Sequence, residues 1–127
     1  MGRKTYEVAL QNGTTSYPDV KNFVFSRTMK ESPDPQVKII SENAARFVSD
    51  LKRKEGKGIC VMGGGELARS LFEASLIDEI GLNIHPILLG SGIPLFHRMT
   101  QTNLELIECK TLKNGCVYVL YHVRKAA

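Results

Sequence analysis

Apolar residues fall into short clusters separated by turn-forming stretches, and the period within each cluster predicts its conformation. Arg3–Leu10 is helix-compatible but short, and QNGTTSYPD after it is rich in turn formers. KNFVFSR (21–27) has the length and composition of a strand; SPDPQ breaks the chain, and VKIIS (37–41) reads as a second strand. Ser41 or Asn43 can then cap a helix in which Ala44, Phe47, Val48 and Leu51 make one apolar stripe. That helix is expected to end near KEGKG, with Gly56 as the left-handed residue just past its end. GICVM (58–62) is almost continuously apolar, as a buried strand is, and glycines follow it at once. Glu66–Ser75 carries a second helical stripe through Leu67, Leu71 and Phe72. IDEIGLNIHPI returns to strand until Pro86 interrupts it, and LLGSGIPLF reads as a loop with apolar ends. A hairpin from Asn103 to Val123 closes the chain around Asn114-Gly115. Alternating helices and strands followed by antiparallel strands predict a mixed sheet with helices on its faces.

Composition narrows the class without changing that picture. The chain has 127 residues, 43% of them apolar and 24% charged, which suits one globular domain with a real core. No apolar run approaches the length of a membrane span, and MGRKTYE lacks the apolar stretch of a secretory signal. Tyr6 stands where a myristoylation pattern requires Ser or Thr. A cytoplasmic location with no membrane partner is therefore expected. Cys60, Cys109 and Cys116 form no CxxC pair, and His85, His97 and His122 are scattered, so no metal site is expected. A two-residue turn at Asn114-Gly115 would pair Lys113 with Cys116 and Cys109 with Leu120, leaving those two sulfurs apart. All three cysteines are expected to be reduced core residues.

A net charge of +4 and a pI near 9.1 favour anionic partners, either nucleic acid or a phosphorylated small molecule. LKRKEGK is the one dense basic run. It reads as the solvated end of a helix, where cations suit the dipole, rather than as a nucleic-acid patch.

The glycines of CVMGGGELARS need a reason, because glycine loses more conformational freedom on folding than any other residue. Gly63, Gly65 and Ala68 satisfy G-x-G-x-x-A between a strand and a helix. Glycines let a backbone approach a pyrophosphate, and a helix N-terminus offers it unpaired N–H groups. The motif sits mid-chain, however, and Asp78-Glu79 open the next strand, whereas a ribose-binding acid belongs at that strand's C-terminal end. The pattern describes a phosphate seat of another kind than the Rossmann one, or a tight turn without a ligand.

MGRKTYE, FVFSRT, VMGGGELARSLFEASLIDEIGLNIHPILLGSGIPLF and the closing hairpin occur in the order seen in one family. The chain resembles the dihydrofolate-reductase-like family, most closely the branch containing the riboflavin-biosynthesis reductase (RibD C-terminal) domain. The resemblance covers essentially the whole chain and is most specific from Val61 to Phe96. It implies a three-layer α/β/α fold with a mixed, mostly parallel sheet and a C-terminal antiparallel hairpin. It also implies NADPH binding at three places. Gly2, Arg3, Lys4 and Thr5 correspond to a helix start contacting the cofactor phosphates. Ser26, Arg27 and Thr28 correspond to the strand end that reads the adenosine 2′-phosphate. Gly63, Gly64, Gly65, Glu66 and Leu67 correspond to the turn that seats the pyrophosphate.

Relatives open with a strand in the middle of the sheet and an S-x-D-G-like segment facing the substrate, and neither has a counterpart in residues 1–127. The expectation is a single, N-terminally incomplete domain: a fragment, a fold completed by a second polypeptide or symmetry mate, or a rearranged fold. The function implied is NADPH-dependent hydride transfer to a small heterocycle, pterin-like or a ribosylaminopyrimidine, by a homodimer. The alternatives are an inactive nucleotide-binding module and, on the basic run alone, a nucleic-acid-binding protein. No residue stands out as an acid or base; His85, beside Pro86, reads as structural.

Overall fold

In the computed structural model, which describes residues 1–125, the choice between two caps falls to Asn43. Its side-chain oxygen accepts from the Arg46 N–H at 3.0 Å, and α2 (Ala44–Lys52) begins there. The helix stops at Lys52, short of Gly56, because no apolar residue after Leu51 extends the stripe that packing rewards. α1 spans Arg3–Gln11 and α3 spans Gly65–Glu73. No helix among the described residues is long and apolar enough to cross a membrane.

β1 (Asn22–Phe25) and β2 (Val37–Ile40) pair in parallel, with Asn22 opposite Val37 and Phe25 opposite Ile40. β3 (Glu79–Ile84), β4 (Leu104–Thr111) and β5 (Val117–Val123) form an antiparallel sheet in the order β3-β5-β4. Successive strand residues point to opposite faces, and β1 uses this to hold two helices. Val24, fully buried, packs with Tyr6 of α1 and Val37, whereas Phe23 and Phe25 meet Phe47 of α2 edge-on at 5.1 and 5.7 Å. The mixed α/β architecture with a C-terminal hairpin is thus present, with its parallel and antiparallel parts as separate sheets.

GICVM departs from expectation. It joins neither sheet, and Ile59 and Met62 are 44% and 42% exposed. An apolar run becomes a strand only where other strands accept its backbone hydrogen bonds, and none of the described strands lies beside it. Cys60 is exposed for the same reason, and Cys109 because it lies on edge strand β4; only Cys116 is buried, and all three thiols are free.

The hairpin differs by one residue from the expected register. Gly115, at φ +80°, closes a three-residue loop in which the Leu112 N–H donates to the Cys116 carbonyl at 2.8 Å. Cys109 therefore faces Val119 rather than Leu120. Asp78, just before β3, takes a bond from Lys52 of α2, which joins the halves of the chain, and another from Lys125 at 2.6 Å.

Candidate nucleotide-binding site

Two helices begin side by side without side-chain caps. Gly2 precedes α1 and Gly64 precedes α3, both in extended conformation, and neither offers an oxygen to the first-turn amides. The first four N–H groups of a helix have no partner within it, so uncapped ends present them outward. The Gly2 N–H donates to the Gly63 carbonyl at 3.1 Å, and Gly2 also bridges Phe25 in parallel. The end of β1 and the starts of α1 and α3 are thereby laced together.

Thr5 fills the angle between them. A Cβ on Gly63 would stand 2.9 Å from Thr5 Oγ1, and one on Gly64 would stand 3.3 Å from the same atom. Gly63 also has φ +59°, and its peptide bond to Gly64 is cis. Any larger residue at Gly63 would collide with Thr5 and adopt a backbone conformation that side chains disfavour. The Leu95 carbonyl lies 3.3 Å from the Cβ position of Gly65, so the 86–96 loop comes down onto the same turn.

Of the sequence-predicted residues, Gly2, Thr5, Gly63, Gly64 and Gly65 are brought into contact. Arg3 lies along its own helix, donating to Glu7 Oε1 at 2.9 Å, and Lys4 is exposed. Glu66 is exposed in the first turn of α3, and the Leu67 carbonyl accepts from Ser70 Oγ at 2.8 Å.

Ser26, Arg27 and Thr28 leave β1 beside this turn. Ser26 is buried, and its Oγ accepts from the Met29 N–H at 2.9 Å, which shapes the strand exit. Arg27 is exposed and, with Ser26, lines an open cavity of about 540 Å³. Ser41–Ala45 at the start of α2, with Ser70 and Glu73 of α3, also line it. Sequence reasoning did not single out Ser41 and Glu42, which line the same cavity as Arg27. The available signal is a strand followed at once by a helix N-terminus, itself a place for anions, where the sequence reading considers Ser41 only as a cap.

A second cleft, of about 880 Å³, opens between residues 56–65 and β3, under α2 and α3. His85 belongs to neither cavity. Its Nδ1 lies 3.3 Å from Cys116 Sγ, joining the end of β3 to the start of β5. Among the described residues, no group of three His, Cys, Asp or Glu side chains is placed to hold a metal ion.

Residues 11–118 match the RibD C-terminal domain family. The chain belongs to that family. This RibD C-terminal domain is 40% identical over 103 residues to the uncharacterized protein YyaP of Bacillus subtilis, spanning 80% of the chain and 54% of YyaP. It is 36% identical over 126 residues to YwjB of the same organism, spanning 98% of the chain and 71% of YwjB. Among solved structures, the "putative riboflavin biosynthesis protein" of Shewanella sp. PV-4 superposes with a TM-score of 0.80 at 28% identity, over 98% of this chain and 72% of that one. A pyrimidine reductase-like protein of Corynebacterium diphtheriae shares the fold, with a TM-score of 0.61 at 22% identity, over 82% of this chain and 50% of that one. The fold of the RibD C-terminal domain is therefore that of riboflavin-biosynthesis reductase-like proteins.

Proposed function

We propose that this RibD C-terminal domain is an NADPH-dependent reductase acting on a small heterocycle, pterin-like or a ribosylaminopyrimidine. The reading is carried by the meeting of two uncapped helix N-termini at glycines. Outward amides and two positive dipole ends favour a diphosphate. Gly63–Gly65 with Gly2 and Thr5 would hold that diphosphate. Arg27, flanked by Ser26 and Thr28, would take the 2′-phosphate, to which a guanidinium can donate two parallel bonds. NADPH, when bound, supplies the hydride. The chain's own task is to bind, orient and shield it.

The cytoplasmic location and the homodimer belong to the same proposal. Free thiols suit a reducing compartment. Leu104, Leu106 and Ile107 of β4, with the exposed Ile87–Leu95 loop, supply apolar surface for a second copy. Calorimetric titration should give tighter binding of NADPH than of NADH. Equal affinity would refute the 2′-phosphate role of Arg27. Among the sequence-predicted site residues, Glu66 is the one carboxylate and no imidazole is present, which favours as second reading a nucleotide-binding module without turnover. NADPH binding without oxidation in the presence of pterins and ribosylaminopyrimidines would select it.

A further inference from the structure

β4 is the outer strand of its sheet: β5 occupies one edge, and no strand among the described residues lies along the other. Its eight residues, LELIECKT, do not alternate regularly between apolar and charged, yet the two kinds end on opposite faces. The cause is the bulge between Leu106 and Glu108, which takes Ile107 out of the ladder. Residues opposite one another across a ladder share a face, so Leu104, Leu106, Cys109 and Thr111 lie on the face of the buried Val119 and Val123. Glu105, Glu108 and Lys110 lie on the other. Leu104 and Leu106 are 41% and 56% exposed, so the apolar face runs out uncovered at this edge.

Such an edge can pair with its own copy about a two-fold axis, and the faces limit how. Residues of one face must meet residues of the same face. Because the bulge shifts the alternation, any pairing along most of the strand sets residues before the bulge opposite residues after it. Two registers do so. One places Glu105 opposite Glu108 of the second copy, twice. The other overlaps all eight residues and places Leu104 opposite Thr111, Leu106 opposite Cys109 and Glu105 opposite Lys110, each twice. Like charges directly opposite oppose pairing and unlike charges favour it. A bulge and charged side chains ordinarily keep an edge from pairing; here both select one register.

Within the chain, Arg124 donates to Glu105 Oε2 at 3.1 Å, and Lys110 lies 2.7 Å from Glu108 Oε1. These pairs are solvent-exposed and therefore worth little, so their side chains are free to re-pair. With two carboxylates and two cations on each copy, the joint carries no net charge.

We propose that a second copy of this chain pairs antiparallel with the free edge of β4, in the register that sets Glu105 opposite Lys110. This deepens the homodimer reading above and rests on it. Two three-stranded sheets then run on as one, through β4 of each copy. Lys110 stands between its own Glu108 and the Glu105 of the second copy, and so screens the two Glu108 carboxylates that come together near the axis.

Sedimentation of the full chain, of Glu105→Lys and of Lys110→Glu tests the register. Each reversal alone should weaken dimerisation roughly tenfold or more, since it creates two like-charge pairs. Mixed in equal amounts, the two variants should associate as tightly as the unaltered chain, because every reversed charge then meets its opposite. Mixing cannot repair a loss confined to one chain, such as that of Glu105 from Arg124. Leu106→Cys gives a second readout against the exposed Cys109. Opposite Cα atoms of an antiparallel pair lie about 4.5–5.5 Å apart, within the span of a disulfide. Mild oxidation should yield a covalent dimer on a non-reducing gel, and adding Cys109→Ser should abolish it. Failure of mixing to restore association, or of the covalent dimer to form, overturns the register while the homodimer stands on another face. An unaltered chain that sediments as a monomer overturns both, with the nucleotide reading still decided by its own titration.

Discussion

A methyl group at Gly64 would press on Thr5 Oγ1, a side-chain atom that can rotate away, whereas at Gly63 it would also violate the backbone. Gly64→Ala should therefore keep the circular-dichroism spectrum and lose most NADPH affinity, because the added Cβ pushes Thr5 Oγ1 out of its place between the two helix starts proposed to hold the diphosphate. An unfolded variant would show that the turn's role is conformational. Arg27→Ala should weaken NADPH by about 1.5–3 kcal/mol, roughly ten- to hundredfold, and leave NADH nearly unchanged in parallel titrations. At this scale the sequence was most legible where backbone geometry decides. The glycine turn and the cap at the start of α2 follow from local rules. The cysteines do not, because burial of Cys60 and Cys109 depends on which strands lie beside them.

Helix α3 is legible from its period alone, and Leu71, 1% exposed, is the residue its stripe buries most deeply. Leu71→Ala should cost about 2–5 kcal/mol, the range for truncating a core leucine, read as a lower denaturant midpoint. Asp78 links α2 to the start of β3, and bonds from Lys125 and then Lys52 hold its carboxyl below the usual aspartate range. Its contribution is fully present above the unfolded value near 3.9 and is lost as pH falls through the lower folded one. Asp78→Asn should accordingly lower stability at neutral pH, change little below the folded value, and so flatten the acid limb of the stability–pH curve. A variant with an unchanged acid limb would show that the lysines add nothing. The hairpin was read one residue out, since Asn114-Gly115 is compatible with either a two- or a three-residue loop and only packing chooses. GICVM was read as a strand because composition reports apolar character, while a ladder requires neighbours that no local pattern can supply.

Across the whole molecule, the two sheets share no strand, and each backbone group left unpaired out of water costs about 1–3 kcal/mol. Against a usual net stability of about 5–15 kcal/mol, a few such groups matter. The chain alone is expected to melt at low temperature and to aggregate on heating, as followed by thermal melting with sedimentation. A sharp, concentration-independent melt of a monomer would show that the open seams cost little. The division also sets the order of assembly. β3 reaches β5 only across 33 to 43 positions, but each sheet also has one local pairing: Thr111 meets Val117 six positions along the chain, and Asn22 meets Val37 at fifteen. Contacts this local form quickly, and neither sheet waits for the other. What remains is docking of the two halves, through α2 against α3 and Lys52 against Asp78. Refolding should therefore show a fast phase in which both halves gain secondary structure, then a slower one that buries Leu71. Only the slower phase should respond to a change at Lys52.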